Sequence, residues 1–370
     1  SVTSMRFISI AVNRITMSRT LRRNVPKFLV LFTVGALFFL LLVRSKLVRS
    51  YDEPEYKNQD TERAKREAEI ENRERIARVR RVCKKYQMGP FKSASSDVEF
   101  KEPPAPQYSV FYIDSKHNIS YCPIYKSGST TWIYNLCLLN GVSEEELSSG
   151  KEQISVIARR IMPELDYPEA DVLLRKTAKL LIVRHPFERL LSAYRDKLEN
   201  SVAGREHGSL HFYKRYGESI VRKYRDKKRP TPSSNQVILR AGLAAPAGIE
   251  PTWREFVDYL INTDLASYAD DHWTPYYLYC TPCLINYDII AKVETLWRDQ
   301  AYAIHQLGLD QQIRPRWRHS TSNNVTDAAT VYFSQLTKEH VRKLHEKFRL
   351  DLEMFGYDAE RYYELATAIS

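Results

Sequence analysis

Residues 119–139 read ISYCPIYKSGSTTWIYNLCLL, and this stretch decides the fold class. Ile119 to Tyr125 is rich in β-branched and aromatic side chains and is typical of a strand. The apolar run from Trp132 to Leu139 is typical of a helix. Between them, residues 126–131 combine a cation, a glycine and four hydroxyls, as expected for a loop that binds phosphate at the N-terminus of a helix.

A second strand, turn and helix pattern follows further along the chain. Ala178 to Val183 (AKLLIV) has the pattern of a buried strand, residues 184–186 are a turn, and Phe187 to Glu199 is predicted to be helical. Apolar residues of this helix fall at i, i+3, i+4 and i+7, which leaves its polar residues free to meet a ligand. Further strand patterns at 108–113 and 287–293, and helix patterns at 253–261, 295–307 and 337–355, indicate an α/β fold.

The net charge of +11 is concentrated at the N-terminus. Residues 1–44 carry seven basic side chains and no acidic one, which leaves a surplus of only +4 for the rest of the chain. This surplus suits a local groove for polyanions and lacks the domain-wide basicity of a protein that binds duplex nucleic acid. Nucleic acid is therefore not an expected partner.

Residues 28–43 (FLVLFTVGALFFLLLV) form an uncharged apolar run with basic residues on both sides. The run is a little shorter than the roughly 20 residues of a typical membrane-spanning helix, which suits a thin membrane of the early secretory pathway. A cleaved signal peptide is the alternative, but no small-residue cleavage site follows. The denser basic cluster precedes the run, so we expect an uncleaved signal anchor, a cytoplasmic tail at 1–27 and a lumenal remainder.

Two further features agree with a lumenal location. The sequences beginning at Asn118 (NIS) and Asn324 (NVT) are acceptors for N-glycosylation, which takes place in the lumen. Five cysteines in an oxidising compartment allow at most two disulfides, and the sequence leaves their pairing open. Cys280 and Cys283 resemble half of a zinc site, but no second pair completes the ligands, so we expect structural cysteines and no metal.

Residues 44–107 are expected to be a lumenal stem and linker. The segment 61–81 is rich in Glu, Arg and Ala, with both charge signs at helical spacing, which is typical of a solvated and partly helical stem. Residues 93–107 have the Ser and Pro content of a linker. We therefore expect domain packing to begin near Tyr108 and the catalytic domain to span residues 108–370.

The loop at residues 125–132 (YKSGSTTW) is not a Walker A loop, because its lysine precedes the glycine. It resembles, without gaps, the 5'-phosphosulfate loop of the carbohydrate sulfotransferase family that contains the chondroitin 4-O, dermatan 4-O and HNK-1 enzymes. That loop runs Pro-Lys-Val-(Ala/Gly)-Cys-Thr-(Asn/Ser)-Trp, so Tyr125 and Ser129 depart from it. The resemblance implies a P-loop-like sulfotransferase fold with a central, mostly parallel sheet flanked by helices, and 3'-phosphoadenosine 5'-phosphosulfate (PAPS) as sulfate donor. It implies that Lys126 stabilises the leaving group and that the 5'-phosphate is held by Ser127, Gly128, Ser129, Thr130 and Thr131.

Residues 184–197 (RHPFERLLSAYRDK) closely resemble the second motif of that family, Arg-Asp-Pro-Phe-Glu-Arg-Leu-(Leu/Val)-Ser-Ala-Tyr-Arg-Asp-Lys. The resemblance implies that Arg184 and Ser192 bind the 3'-phosphate of the cofactor, a contact that suits the charged donors of arginine. His185 stands where the family has Asp. The cofactor-binding residues predicted from this motif are Arg184, His185, Pro186, Phe187, Glu188, Arg189, Leu190, Leu191 and Ser192, and the likeness extends over residues 82–357.

Sulfuryl transfer also needs a base for the acceptor proton. His272 is the first candidate, because the preceding Asp270 and Asp271 are suited to hold its imidazole, and His185, Glu188 and Asp196 follow. The basic run at 222–229 is either a solvated helix face or a groove for a polyanionic acceptor.

The resemblance implies a Golgi membrane protein, single-pass and type II, that sulfates the 4-hydroxyl of N-acetylgalactosamine in chondroitin or dermatan. Two alternatives stay open. The same chemistry would serve another acceptor, such as the 3-hydroxyl of terminal glucuronate or N-acetylgalactosamine on a glycoprotein. A membrane-anchored relative that binds glycosaminoglycans without catalysis would show the same departures at Tyr125, Ser129 and His185.

Overall fold

A computed structural model describes residues 58–93, 99–203, 209–228, 237–239, 244–316 and 327–368. The chain divides into two units, Ser1–Thr61 and Glu62–Ser370. The predicted cytoplasmic tail, the predicted anchor at 28–43 and Asn324 lie outside the described residues. Within the described ranges, no helix has both the length and the apolar character needed to cross a membrane.

The secondary structure alternates between short strands and helices. The strands are β1 (Tyr112–Asp114), β2 (Ile119–Cys122), β3 (Ala178–Val183) and β4 (Ile289–Lys292). The α-helices are α1 (Asn58–Lys85), α2 (Ser129–Leu139), α3 (Glu144–Ser148), α4 (Ile154–Ile161), α5 (Glu169–Lys176), α6 (Pro186–Lys197), α7 (Ser209–Phe212), α8 (Glu218–Tyr224), α9 (Trp253–Ile261), α10 (Leu265–Tyr268), α11 (Tyr276–Tyr279), α12 (Leu296–Gln306), α13 (Ala328–Phe333), α14 (Lys338–Phe355) and α15 (Glu360–Leu365). Short 3-10 turns occur at Gly89–Phe91, Tyr108–Val110 and Val293–Thr295, and a π-helical turn at Tyr213–Gly217.

The described residues contain one four-stranded sheet, in the order β1-β2-β3-β4. β1 pairs antiparallel with β2, whereas β2, β3 and β4 run parallel. Alternate residues of β3 enter different cores, Leu181 and Val183 on one face and Leu180 and Ile182 on the other, so apolar side chains cover the sheet on both faces. The expected α/β class with a mostly parallel sheet is confirmed. The carboxyl ends of the parallel strands share one edge, where ligands bind in open α/β sheets.

The stem helix α1 packs against the sheet, and the expectation of a solvated stem is wrong for one face of it. Ala68, Asn72, Arg75, Val79 and Val82 are buried and recur at helical spacing. Packing therefore begins well before residue 108. Because Asn72 and Arg75 are polar, the hydrophobic periodicity of the sequence does not reveal this buried face of α1.

The two buried polar residues of α1 bond the backbone of Asp288 and of β4, the last strand of the sheet, which Asp288 directly precedes. Asn72 accepts a hydrogen bond from the Ile290 amide at 2.8 Å and donates one to the Asp288 carbonyl at 3.0 Å. Arg75 donates to the Ile290 carbonyl at 2.9 Å. These bonds satisfy strand groups that would otherwise be unpaired, so the stem helix protects the edge of the sheet.

Two disulfides attach the same short segment to different parts of the fold. Cys122, at the end of β2, is bonded to Cys280, and Cys83, in the last turn of α1, is bonded to Cys283. Cys137 is a buried free thiol. Two bridges are the most that five cysteines allow, and the expectation of structural cysteines is confirmed. The bridges hold the segment after α11 against both the sheet and the stem.

Asn118 lies in the turn between β1 and β2, where its side chain is exposed. Its backbone φ is 57°, and its carbonyl accepts a hydrogen bond from the Ala178 amide at 2.8 Å. Asparagine tolerates this left-handed backbone better than most residues do. Glycosylation at this position stays a prediction.

Candidate active site

The predicted phosphate loop connects β2 to α2 at the carboxyl edge of the sheet. Gly128 is the N-cap of α2 with φ of 73°, a conformation that favours glycine. A Cβ there would lie 3.2 Å from the Leu296 side chain, so space is also limited. Thr130 is exposed at the start of the helix, whereas Ser127 is buried. The Thr131 amide donates to the Gly128 carbonyl at 3.1 Å. The earlier amides of a first helical turn generally have no intrahelical partner, and together with the helix dipole they favour an anion.

Lys126 lies in this loop with its ammonium group 2.9 Å from the carboxylate of Asp196 on α6. The same oxygen of Asp196 is 3.2 Å from the ammonium group of Lys197. Burial opposes ionisation of Asp196, but the two ammonium groups outweigh that effect and lower its pKa to about 2. For Lys126, burial outweighs the attraction of Asp196, and the pKa of its ammonium group is lowered.

The structure brings the second motif beside the loop. Arg184 directly follows β3, and its guanidinium group lies 3.4 Å from the Lys126 carbonyl and 3.5 Å from the Glu188 carboxylate. These long contacts leave donors of Arg184 for an anion. Ser192 lies on α6 and is half-buried. The loop, Arg184 and the start of α6 thus form one site rich in hydrogen-bond donors.

His185 takes the N-cap position of α6. Its Nδ1 accepts a hydrogen bond from the Phe187 amide at 3.1 Å, so Nε2 carries the proton and donates to the Asp358 carbonyl at 2.7 Å. Burial lowers the pKa of His185, which agrees with a neutral ring. The side chain therefore provides the capping acceptor that an aspartate would provide, and both of its ring nitrogens are engaged.

Several predicted cofactor-binding residues of α6 pack into the interior of the protein. The side chains of Pro186, Phe187, Leu190 and Leu191 are buried, and the last three belong to the apolar core. They have no free surface to offer a ligand, so the prediction that these side chains contact the cofactor is corrected to a packing role.

Arg189 is buried, and all three of its guanidinium nitrogens donate to carbonyl groups. The acceptors are Tyr125 at 3.0 Å, Thr274 at 2.8 Å and Asp271 at 2.8 Å. Arg189 is only 1% exposed, so its guanidinium group has no surface to offer the cofactor. Arg189 instead ties the phosphate loop to the segment that carries His272, and it is a positioning residue.

His272 is held beside the loop by a carboxylate and an aromatic ring. Its Nδ1 lies 2.7 Å from Asp270 Oδ1, and Asp270 Oδ2 accepts from the Tyr216 hydroxyl at 3.0 Å. The ring centroids of His272 and Tyr125 are 4.5 Å apart. Because the carboxylate accepts the Nδ1 proton, Nε2 presents its lone pair. Burial lowers the pKa of His272 despite the opposing effect of Asp270, so the ring is neutral near pH 7.

The other candidate bases are less suitable. Asp196 binds two ammonium groups and has a pKa of about 2. Glu188 accepts a hydrogen bond from the Tyr362 hydroxyl at 3.0 Å, and both nitrogens of His185 are engaged. The geometry therefore favours His272 as the proton acceptor.

The residues of the basic run at 222–229 differ in their contacts. Arg225 makes a bidentate ion pair with Glu255, at 2.9 Å for each bond, and also donates to the carbonyls of Gly248 and Glu250. Arg222 and Lys223 are exposed on α8. Arg225 thus has a structural role, and Arg229 lies outside the described residues.

Lys197 and Tyr216 are site residues that were not predicted from the sequence. Lys197 ends the second motif and directly follows Asp196, which was a candidate base, so its place in the motif is the signal that could have found it. Tyr216 lies in a segment with no clear periodicity, so no sequence signal places its hydroxyl beside Asp270.

Comparisons with known proteins agree with this geometry. Residues 109–358 match the Sulfotransferase family. The chain is 30% identical over 260 residues to carbohydrate sulfotransferase 11 of Rattus norvegicus, an alignment that covers 68% of each chain. It is 30% identical over 255 residues to carbohydrate sulfotransferase 9 of Homo sapiens, covering 67% of this chain and 53% of the relative. With carbohydrate sulfotransferase 8 of Mus musculus it shares 28% identity over 291 residues, or 77% and 63% of the two chains. No solved structure matches the chain.

The chain belongs to the sulfotransferase family. It is a sulfotransferase enzyme, and sulfotransferases of this family use PAPS as the sulfate donor. Among the described residues, no group of His, Cys, Asp and Glu side chains is arranged to hold a metal ion.

Proposed function

We propose that this chain transfers the sulfuryl group of PAPS to a sugar hydroxyl, and that the favoured acceptor is the 4-hydroxyl of N-acetylgalactosamine in chondroitin or dermatan. The observation that carries the proposal is the meeting of Lys126, Arg184 and the Asp270–His272 pair at the carboxyl edge of the sheet. The relatives' designation as carbohydrate sulfotransferases supports a sugar as acceptor.

The residues of the site fit a nucleotide that carries phosphates at both ends of its ribose. The loop amides, the hydroxyl of Thr130 and the ammonium group of Lys126 would hold the 5'-phosphosulfate, and Arg184 with Ser192 would hold the 3'-phosphate. Bound PAPS supplies an activated sulfuryl group on a good leaving group.

Transfer would then require two actions from the protein. His272 Nε2 accepts the proton of the sugar hydroxyl while the bond from that oxygen to sulfur forms. Lys126 donates a hydrogen bond to the bridging oxygen, which takes the electron pair of the breaking sulfur–oxygen bond. The products are the O-sulfated sugar and adenosine 3',5'-bisphosphate. The depressed pKa of His272 suits this step, because a neutral ring is ready to accept the proton.

Cations beside the base support an anionic acceptor. Lys214 and Arg215 are exposed in the π-helical turn Tyr213–Gly217. Burial raises the pKa of Asp271, and Arg215 lies near enough to that carboxyl to oppose the rise. The hydroxyl of Tyr216 in the same turn bonds Asp270. A glycosaminoglycan that reaches His272 would pass these cations, which would attract its carboxylate and sulfate groups.

We further propose a Golgi location, with residues 28–43 as a type II signal anchor and the catalytic domain in the lumen. Two disulfides and the exposed Asn118 sequon support an oxidising compartment in which glycans are attached. A tagged full-length chain tests this: protease protection of its C-terminus in sealed Golgi vesicles is expected, and digestion without detergent would contradict it.

Transfer of labelled sulfate from PAPS to desulfated chondroitin, dermatan and heparosan tests the activity. The purified full chain is compared with Lys126→Ala and with Lys151→Ala, a matched change at an exposed lysine outside the site. We expect transfer to chondroitin or dermatan that is lost only in Lys126→Ala. PAPS binding without transfer to chondroitin or dermatan would direct the search to terminal glucuronate or to N-acetylgalactosamine on glycoproteins. Glycan binding without PAPS binding would show an inactive relative instead of an enzyme.

A further inference from the structure

One carboxylate oxygen in the site binds two lysines. Asp196 Oδ2 is 2.9 Å from the ammonium group of Lys126 and 3.2 Å from that of Lys197. All three side chains are partly buried, with 13% to 27% of their side-chain surface exposed. The two ammonium groups carry one more charge than the carboxylate neutralises, so the cluster presents a net positive charge to the site.

Side-chain contacts continue from Lys197 to the proposed base. The ammonium group of Lys197 lies 5.2 Å from the centre of the Phe212 ring. Phe212 packs edge-on against His272 at 5.1 Å, and His272 packs on Tyr125, the neighbour of Lys126 in the chain. A closed ring of contacts therefore joins Tyr125, Lys126, Asp196, Lys197, Phe212 and His272.

We propose that Lys197 is a second ammonium group of the transfer site, which binds the sulfonate oxygens of the donor, and that Asp196 is a positioning residue that holds Lys197 and Lys126 together. This inference rests on the proposed function. Lys126 serves the leaving oxygen and His272 serves the acceptor hydroxyl, and the sulfuryl group moves between them. Lys197 binds the same carboxylate as Lys126, and its ammonium group lies near Phe212, which packs against His272. The ammonium group of Lys197 therefore lies beside the path of the sulfonate oxygens.

A contact of Lys197 with the sulfonate can be distinguished from general nucleotide binding by comparing two nucleotides. PAPS carries the sulfonate and adenosine 3',5'-bisphosphate lacks it, so a residue that binds the sulfonate affects only the first. Isothermal titration of the full chain with each nucleotide measures the difference. We expect Lys197→Gln to lose on the order of tenfold in affinity for PAPS, as for one charge-assisted contact, and to keep its affinity for the bisphosphate.

Matched variants control this comparison. Lys197→Met removes the charge but keeps an unbranched aliphatic side chain, so it must give the same selective loss even if Lys197→Gln fails to fold. Lys197→Arg is expected to retain most of the PAPS affinity, and Lys151→Gln all of it. Arg184→Gln is expected to weaken both nucleotides. Equal loss for both nucleotides, or no loss, in the neutral Lys197 variants would overturn the inference, whereas a wild-type chain that binds neither nucleotide would overturn the proposed function itself.

Asp196→Asn tests the positioning role through pH dependence. The charged groups that face Lys126 are Asp196, which raises the pKa of its ammonium group, and Lys197 and Arg184, which lower it. Without the carboxylate, Lys126 loses its proton at lower pH, so the alkaline limb of the kcat profile is expected to shift to lower pH. An equal fall in kcat at every pH would show a merely structural residue and contradict the assignment.

Discussion

Replacement of His272 by glutamine tests the proposed base most directly. Asp270 binds Nδ1 of the ring at 2.7 Å, which leaves Nε2 as the proton acceptor, and 13% of the side chain is exposed. A positioned general base contributes about 10²–10⁴-fold to a rate, so we expect kcat to fall by at least about 10²-fold in His272→Gln. Affinity for adenosine 3',5'-bisphosphate should stay unchanged, because His272 does not belong to the phosphate-binding residues.

The pH dependence of kcat gives a second test of His272, with an expected direction. Burial lowers the pKa of His272 below its ordinary value of 6.5, against the effect of Asp270 and in the same direction as Lys197 and Lys126. The acid limb of kcat should therefore lie below pH 6.5 in the wild type, and it should disappear in His272→Gln. Asp270→Asn removes the carboxylate that raises this pKa, so its acid limb should move to still lower pH, with a smaller fall in the plateau.

Initial rates of labelled sulfate transfer, measured on both sides of pH 6.5, provide the assay. His305→Gln is the matched control, because this histidine is 58% exposed in the last turn of α12. The reasoning is refuted if His272→Gln stays within about threefold of the wild-type kcat and keeps the acid limb, since another group would then accept the proton.

Three further predictions concern stability. Removal of the Cys122–Cys280 disulfide by a double change to serine should lower the free energy of unfolding by about 2–5 kcal/mol in guanidinium titrations, and a change below about 1 kcal/mol would show that the bridge is dispensable. His185→Ala should lower that free energy by about 1 kcal/mol through loss of the α6 cap, whereas His185→Asp should retain most of it, and equal losses would contradict the capping role. Burial raises the pKa of Asp351 to about 7 from 3.8, so the folded carboxyl binds its proton more tightly than the unfolded one. The stability of the wild type relative to Asp351→Asn should therefore fall as pH rises from about 4 to about 7, and a difference independent of pH would contradict this.

Much of the fold was predictable because its signals are local. The strand at 178–183 and the helices near 253–261 and 337–355 were predicted almost to their ends, since their apolar periodicity is regular. The stem helix was predicted as helical, but its packed face was missed. Asn72 and Arg75 count as polar in any periodicity, and their burial is explained by their bonds to β4 and by the ion pair of Arg75 with Asp299.

The candidate site likewise has features that the sequence predicts and features that only the folded structure shows. The sequence by itself determined that residues 125–132 form a phosphate-type loop between a strand and a helix, because glycine, hydroxyls and a cation next to a helix start favour an anion wherever they occur. It also placed Arg184 at the end of a strand. Those properties depend on neighbours in the chain.

Only the tertiary structure decided which side chains act and which support. The sequence suggests that Arg189 is a ligand-binding cation, yet its side chain is buried and each of its three nitrogens donates to a carbonyl of one of two distant segments. Asp196 bridges two lysines, and His272 reaches the loop through Tyr125, across more than a hundred residues of sequence. Hydrogen bonds and burial between distant segments set these roles, and a single sequence records the residue types but not which of them meet.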